Sequence, residues 1–568
     1  MKETLISFEN YTYQYRSQSE PTLFDINLDI KKGERVIIVG ASGCGKSTLA
    51  HCLNGLNPFC YHGKSEGKLT ICGVEAKKAG IFELSQYVGT VLQDTDGQFI
   101  GMTVREDIAF AMENDCVPHD ELVRRVMEEA DVLKLNEYLD QSPHDLSGGQ
   151  KQRVSMAGIL VNKTPILLFD EPLANLDPAA GKEAIELIDQ IQKNSDATVV
   201  IIEHRLEDAL HMGADRIILM ENGRIVRDMP PEELFMTDAL LEAGIREPLY
   251  VTALKYANVP LTKDMGLERI DTLRLSEEQK EKIQEWFDRS VEEGKKENQT
   301  PILSVEEVSF GYQEGKENLS NISFEIHEGE MACIVGKNGA GKSTLAKLLC
   351  GFQTVKNGRI LYRGRDMKDD TIKERAKVIG YVMQNPNQMI SKAMIYDEVA
   401  MSLVSRGMEE VKIKEKVYEA LKVCGLYEYR NWPIQALSYG QKKRVTIASI
   451  LVQEPEILIL DEPTAGQDFR HYTEIMEFLK SLHEKGFTVI MITHDMHLML
   501  EYTDRALVFS KGQMIADTTP VKLFSDMELV KKASLKETSL FELATFCNLD
   551  PEDFINRFIE HDRKVREG

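Results

Sequence analysis

Two stretches of this chain can hold phosphate. Gly40-Ala41-Ser42-Gly43-Cys44-Gly45-Lys46-Ser47-Thr48 returns as Gly336-Lys337-Asn338-Gly339-Ala340-Gly341-Lys342-Ser343-Thr344. Each follows an apolar run, Val36 to Val39 or Cys333 to Val335, and opens a Leu-rich segment. Strand, Gly-rich turn and helix start, in that order, make a P-loop. Its amides and helix dipole cradle phosphates, its Lys reaches the terminal phosphates, and its Ser hydroxyl ligates Mg²⁺. The pattern predicts two nucleoside triphosphate sites, each using Mg²⁺.

A second pair of motifs supplies hydrolytic chemistry. Asp170-Glu171 closes the apolar run Ile166 to Phe169, and Asp461-Glu462 closes Ile457 to Leu460. The Asp is placed to hold the Mg²⁺ shell, and the Glu to orient or polarise an attacking water. Positioning such groups takes a sheet. Runs such as Arg35 to Val39, Ile166 to Phe169 and Thr198 to Ile202 alternate with helix-like segments, which predicts an α/β fold whose mainly parallel sheet is covered on both faces. Ligands in such sheets bind at the carboxyl ends of the strands, where these motifs lie.

The repeat extends well beyond the P-loop. Lys342 follows Lys46 by 296 positions, Gln384, Ser438 and Asp461 follow Gln93, Ser147 and Asp170 by 291, and His494 follows His204 by 290. Five residues are therefore missing from the second copy between P-loop and Gln, a loss assigned to the turn-rich stretch Asn54 to Lys68. The copies run from about residue 5 to 260 and from about 302 to 550, far longer than a solenoid repeat of roughly 20 to 50 residues. The predicted organisation is a first domain over 1–235, a helical extension and linker over 236–300, a second domain over 301–530 and a helical C-terminal extension over 531–568.

Composition narrows the function classes. At 568 residues the chain is too long for one core. A formal net charge of −24 disfavours a nucleic-acid partner, which needs clustered Lys and Arg. The nine cysteines form no C-x-x-C pair, as expected of reduced thiols rather than disulfides or zinc. No apolar leader stands at the start, and no apolar run approaches the ~18 to 20 residues that cross a bilayer. Membrane association is expected to come through a partner.

Leu146-Ser147-Gly148-Gly149-Gln150, followed by Lys151-Gln152-Arg153, resembles the signature motif of ATP-binding-cassette (ABC) ATPases. Leu437-Ser438-Tyr439-Gly440-Gln441 is its second copy. The resemblance implies two tandem P-loop domains, each with a helical signature subdomain. It further implies that Tyr15 and Tyr312 stack on adenine, that Gln93 and Gln384 sense Mg²⁺ and the transporter, and that Asp177 and Asp468 form D-loops. His204 and His494 become switch histidines that contact the γ-phosphate. In this family the signature of one domain completes the P-loop site of the other, so the resemblance implies an intramolecular head-to-tail pair. Tyr439 stands where the first signature has Gly148, and unequal turnover at the two sites is expected from that difference.

The segments after each Gln, Gln93-Asp94-Thr95-Asp96-Gly97-Gln98-Phe99 and Gln384-Asn385-Pro386-Asn387-Gln388-Met389, resemble those of energy-coupling-factor transporter ATPases. The first departs from the usual pattern with Asp94-Thr95 in place of Asn-Pro. This closer resemblance implies the energy subunit of an importer of vitamins or metal ions, peripheral on the cytoplasmic face of the membrane. Its expected partners are an integral membrane coupling subunit and a substrate-capture membrane subunit. A soluble twin-cassette ATPase acting on the ribosome is the alternative. Residues 261–300, with eight Lys or Arg against eleven Asp or Glu, are too acidic for its usual RNA contact.

Two amphipathic helices complete the expectations. In the linker, Ser276 and Gln279 form a capping box ahead of a face of Ile283, Trp286, Phe287 and Val291. In the tail, Asp550 caps a helix begun by Pro551, with Phe554, Ile555, Phe558 and Ile559 on its apolar face.

Overall fold

The computed structural model describes residues 2–92, 96–174, 176–289, 300–313, 317–437, 439–464 and 469–567. The chain divides into two compact units, the first running to Trp286 and taking in the segment 468–470, the second comprising the rest from Phe287.

In the first unit, strands whose residues are buried throughout, such as Ile166–Asp170 and Thr198–Ile202, can only be interior strands of a sheet covered on both faces. That sheet has six strands in the order Arg224–Met229, Arg216–Glu221, Arg35–Gly40, Thr198–Ile202, Ile166–Asp170 and Val88–Val91. All pairs are parallel except that of the outermost strand, Arg224–Met229. The second unit repeats it in the same order, from Gln513–Thr518 through Arg505–Ser510, Met331–Gly336, Thr488–Ile492 and Ile457–Asp461 to Ile379–Val382. The predicted parallel core is therefore present twice.

Each unit adds a sheet of four antiparallel strands that the sequence patterning does not reveal. In the first unit its order is Leu23–Lys31, Thr4–Tyr15, Gly63–Ile71 and Val74–Glu75. Leu23–Lys31 alternates buried and exposed residues as a one-faced strand does. The long strand Thr4–Tyr15 hides its period because the register shifts between Glu9 and Thr12, with Asn10 at a φ of 45°. Tyr13, Ile26, Leu49, Leu168 and Val200 share the apolar core of this unit.

The five-residue difference between the copies falls where the register placed it. A short helix, Leu56–Phe59, stands between Lys46–Leu53 and Gly63–Ile71, whereas the second unit passes from Lys342–Leu349 to Asn357–Tyr362 without one. Three helices carry the signature region in each unit: Val104–Asn114, His119–Val132 and Gly148–Leu160, then Ile395–Ser405, Glu410–Val423 and Tyr439–Leu451. No helix among the described residues is long and apolar enough to cross a membrane.

The linker helix Glu277–Arg289 begins at the predicted capping box, with Ser276 N donating to Gln279 Oε1 at 2.8 Å. Its Phe287 stacks on Phe554 of the tail helix Pro551–Glu567 at 6.3 Å, under the Arg557 guanidinium. Val291 and the polar stretch 294–299 lie outside the described residues.

Candidate nucleotide sites

Each P-loop turns into its helix at a glycine in the left-handed region, Gly45 at φ 106° and Gly341 at φ 104°. A Cβ there would meet Leu23 Cδ2 at 2.9 Å or Leu319 Cδ2 at 2.5 Å, so only glycine makes the turn without strain. No side chain caps either helix start, which leaves its amides to an anion. Both lysines are buried and fold over their own loops. Lys46 Nζ donates to the carbonyls of Gly40 at 2.7 Å and Ala41 at 3.1 Å, and Lys342 Nζ to those of Gly336 at 2.6 Å and Lys337 at 3.1 Å.

One tyrosine of each copy lies against the P-loop helix. Tyr15 OH donates to Thr48 Oγ1 at 3.2 Å, and Tyr312 OH lies 3.4 Å from Thr344 Oγ1, beside the P-loop helices. Tyr11 and Tyr13 are instead buried and bonded inward, to Cys52 Sγ and to the Tyr61 carbonyl.

The acidic pairs sit at the carboxyl ends of Ile166–Asp170 and Ile457–Asp461. Glu171 and Glu462 both occupy the left-handed region, at φ 50° and 45°. A non-glycine residue held there costs on the order of 1 kcal/mol or more, which points to a function that needs the carboxylate at that angle. Each faces its histidine. His204 Nε2 lies 2.9 Å from Glu171 Oε1, and His494 Nδ1 lies 2.7 Å from Glu462 Oε1. Strand-end glutamate and the histidine expected to be the switch thus meet in both copies, through different ring nitrogens.

Asp170 is buried, and burial pushes its carboxyl up to about 6, aided by the nearby charge of Glu171 and opposed by Lys46. Its Oδ1 has no hydrogen-bond partner among the described residues. An orphaned carboxylate oxygen near the P-loop lysine is a hard donor of the kind that fits Mg²⁺. In the second copy burial again raises Asp461, while Tyr381 OH donates to its Oδ2 at 2.8 Å and the Ser343 hydroxyl also bonds to it.

Ser147 starts the first signature helix in a capping box with Gln150, its backbone N donating to Gln150 Oε1 at 2.9 Å. Gly148 and Gly149 form the first turn of that helix, and Gly440 and Gln441 the first turn of its counterpart. The two helices carry the same ion pair to the helix after the acidic pair, Arg153–Glu183 at 2.7 Å and Arg444–Glu474 at 2.8 Å. Asp177 is buried and caps Pro178–Ser195, its Oδ1 accepting from Ala180 N at 2.9 Å. Gln93, Ser438 and Asp468 lie outside the described residues, and of Tyr439 only the backbone is described.

Two differences between the copies are absent from the motif-level expectation. Glu203, two per cent exposed, accepts from the backbone N–H groups of Leu173, His204 and Arg205 at 3.1, 2.9 and 3.2 Å. Burial raises its carboxyl above the ordinary range. Its counterpart, 290 positions on, is Thr493, whose hydroxyl accepts from Asp495 N. Likewise Gln152 corresponds to Lys443, one per cent exposed, which burial lowers to about 8 against the pull of Asp461 and Glu462. The signal was present in the register, as charge swaps beside motifs that otherwise match.

Duplicated P-loop sheets with acidic strand ends, histidines bonded to the strand-end glutamates, and signature helices define an ATP-binding, ATP-hydrolysing pair of domains. The ABC transporter family model matches residues 23–174 and 319–465, and the chain belongs to that family. A further model, described as an ATP-binding cassette cobalt transporter domain, matches residues 237–310. A Clostridium perfringens relative carrying the description ABC transporter ATP-binding protein is 55% identical over 567 residues, covering 100% of both chains. One from Enterococcus faecalis with the same description is 56% identical over 572 residues, again covering 100% of both. The solved structure of cbiO1 from Clostridium perfringens, part of the ABC transporter complex cbiONQ, is 37% identical over 41% of this chain and 94% of that one, with a TM-score of 0.39.

Proposed function

We propose that this ATPase energises a membrane importer of energy-coupling-factor type, from the cytoplasmic face, for a vitamin, a vitamin precursor or a metal ion. The observation that carries the reading is that both halves hold P-loop Lys, strand-end Glu and switch His in matching geometry. Two working ATP sites on one chain suit a transporter that draws on both. The segments after Gln93 and Gln384, with their likeness to that transporter type, are assigned to the coupling helix of an integral membrane subunit, which holds a substrate-capture subunit. The description of the model matched at 237–310 supports a cation-uptake setting.

At the sites themselves, the P-loop amides and Lys46 or Lys342 bind and orient the phosphates. Glu171 and Glu462 polarise water, and His204 and His494 hold those carboxylates in place. Mg²⁺ would be held by Ser47, Asp170 and Gln93, or by Ser343, Asp461 and Gln384, and would offset phosphate charge. Ser147, Gly148, Gly149 and Gln150, with Ser438, Tyr439, Gly440 and Gln441, are assigned to the partner domain's nucleotide. Asp177 and Asp468 are assigned to the D-loops that accompany them.

Affinity purification of the tagged full chain from membranes tests the reading. Recovery of an integral membrane protein together with a small membrane capture subunit supports it. Recovery with ribosomes, and no membrane protein, overturns it in favour of a translation ATPase.

A further inference from the structure

Lys443 lies on the helix Tyr439–Leu451, five positions past Ser438, and is one of the largest fully buried side chains in the molecule. Its Nζ donates to the carbonyl of Met383 at 2.7 Å and to that of Gln384 at 2.8 Å. These two residues follow directly on the strand Ile379–Val382, which pairs with the strand ending at Asp461. One ammonium therefore joins the signature helix to the backbone of the Gln384 loop.

The first domain makes a different join at the same register. Gln152, five per cent exposed, donates from Nε2 to the carbonyl of Pro172 at 2.6 Å, on the residue next to Glu171. A neutral amide thus ties the first signature helix to the strand end, where the second domain uses a cation to reach the Gln loop. An ammonium has three donors and no acceptor, which suits a pair of converging carbonyls. Burying it is costly unless it is hydrogen-bonded and faced by opposite charge. Both conditions are met, because the carboxylates of Asp461 and Glu462 face it.

We propose that Lys443 is a positioning residue of the second ATP site, a strut that makes the Gln384 loop move with the signature helix of its own domain. The first domain has Gln152 at this register, and its signature helix is tied to Pro172 instead. The inference deepens the proposed function, since it rests on Gln384 serving the nucleotide and the membrane groove. It gives the second domain a direct link between nucleotide and groove.

The full chain in a Glu171→Gln background, where turnover belongs to the second site, provides the test. Lys443→Gln is expected to lower kcat about tenfold or more and leave KM for ATP within about twofold, because a positioning loss falls on the reacting geometry. Lys443→Arg is expected to recover most of the rate, since a guanidinium can serve both carbonyls. Should the Gln variant not fold, Lys443→Met, uncharged and of similar length, is judged by the same criteria. Amide hydrogen exchange at 383–389 is expected to quicken at least fivefold in the Gln variant and not in the Arg variant. Equal loss in the Arg and Gln variants, a rise in KM without a fall in kcat, or unchanged exchange overturns the proposal. The exchange measurement needs no turnover, so it judges the strut even if the transporter reading fails.

Discussion

At the residue scale, the two sites differ most in the company their glutamates keep. Glu203 holds three backbone N–H groups around His204 and the loop after Glu171, a task Thr493 performs for one only. Glu203→Thr leaves the Leu173 amide unbonded in a buried place, at about 1–3 kcal/mol. The expected result is a drop of about tenfold in first-site kcat, measured in a Glu462→Gln background with KM followed alongside. Tyr15→Ala and Tyr312→Ala are expected to raise KM for ATP about two- to tenfold, the range of one aromatic stack, while Tyr13→Phe leaves it unchanged; nucleotide titration checks both.

At the element scale, the tail helix Pro551–Glu567 grips the helix that follows His494 in its own unit. Arg563 donates to the carbonyl of Glu501 at 2.9 Å, and Arg566 to Glu501 Oε2 at 3.1 Å and Tyr502 OH at 3.0 Å. Glu501 and Tyr502 end the helix Met496–Tyr502, which begins two residues after His494. Arg566→Ala strips a buried carboxylate of its charge partner, and a fall in the thermal midpoint of the second unit by several degrees is expected in calorimetry. Removal of 551–568 is expected to slow ATP hydrolysis and weaken assembly with the membrane subunits; normal rate and normal assembly would show that the tail contributes to neither. The helix itself was legible, because Asp550, Pro551 and a spaced apolar face announce it. Its target was not, because the fit of Arg566 to Glu501 depends on two elements 65 positions apart, and single-sequence periodicity carries no such pairing.

At the scale of the whole molecule, duplication made the architecture readable. Motif pairs at offsets of 290 to 296 gave two domains, the parallel sheets and the P-loop, Glu and His constellations. The antiparallel sheets were hidden by the irregular strand Thr4–Tyr15, and the roles of Glu203 and Lys443 by their absence from any shared motif. Such differences are expected to make the two halves turn over unequally. Glu171→Gln and Glu462→Gln are expected to reduce ATPase by different factors, and the double variant to fall about 10²- to 10⁴-fold; a coupled phosphate-release assay decides, and equal single losses would sink the idea.

The five extra residues of the first copy make that inequality observable. Asn57, on the inserted helix Leu56–Phe59, donates to the Thr48 carbonyl at 3.2 Å and to Tyr15 OH at 3.3 Å, so the insert rests on one P-loop helix alone. Cys60, at the end of that insert, is exposed. With the other exposed cysteine, Cys116, replaced, a fluorophore attached to the Cys60 thiol becomes a private reporter, sensing occupancy at one P-loop and not the other.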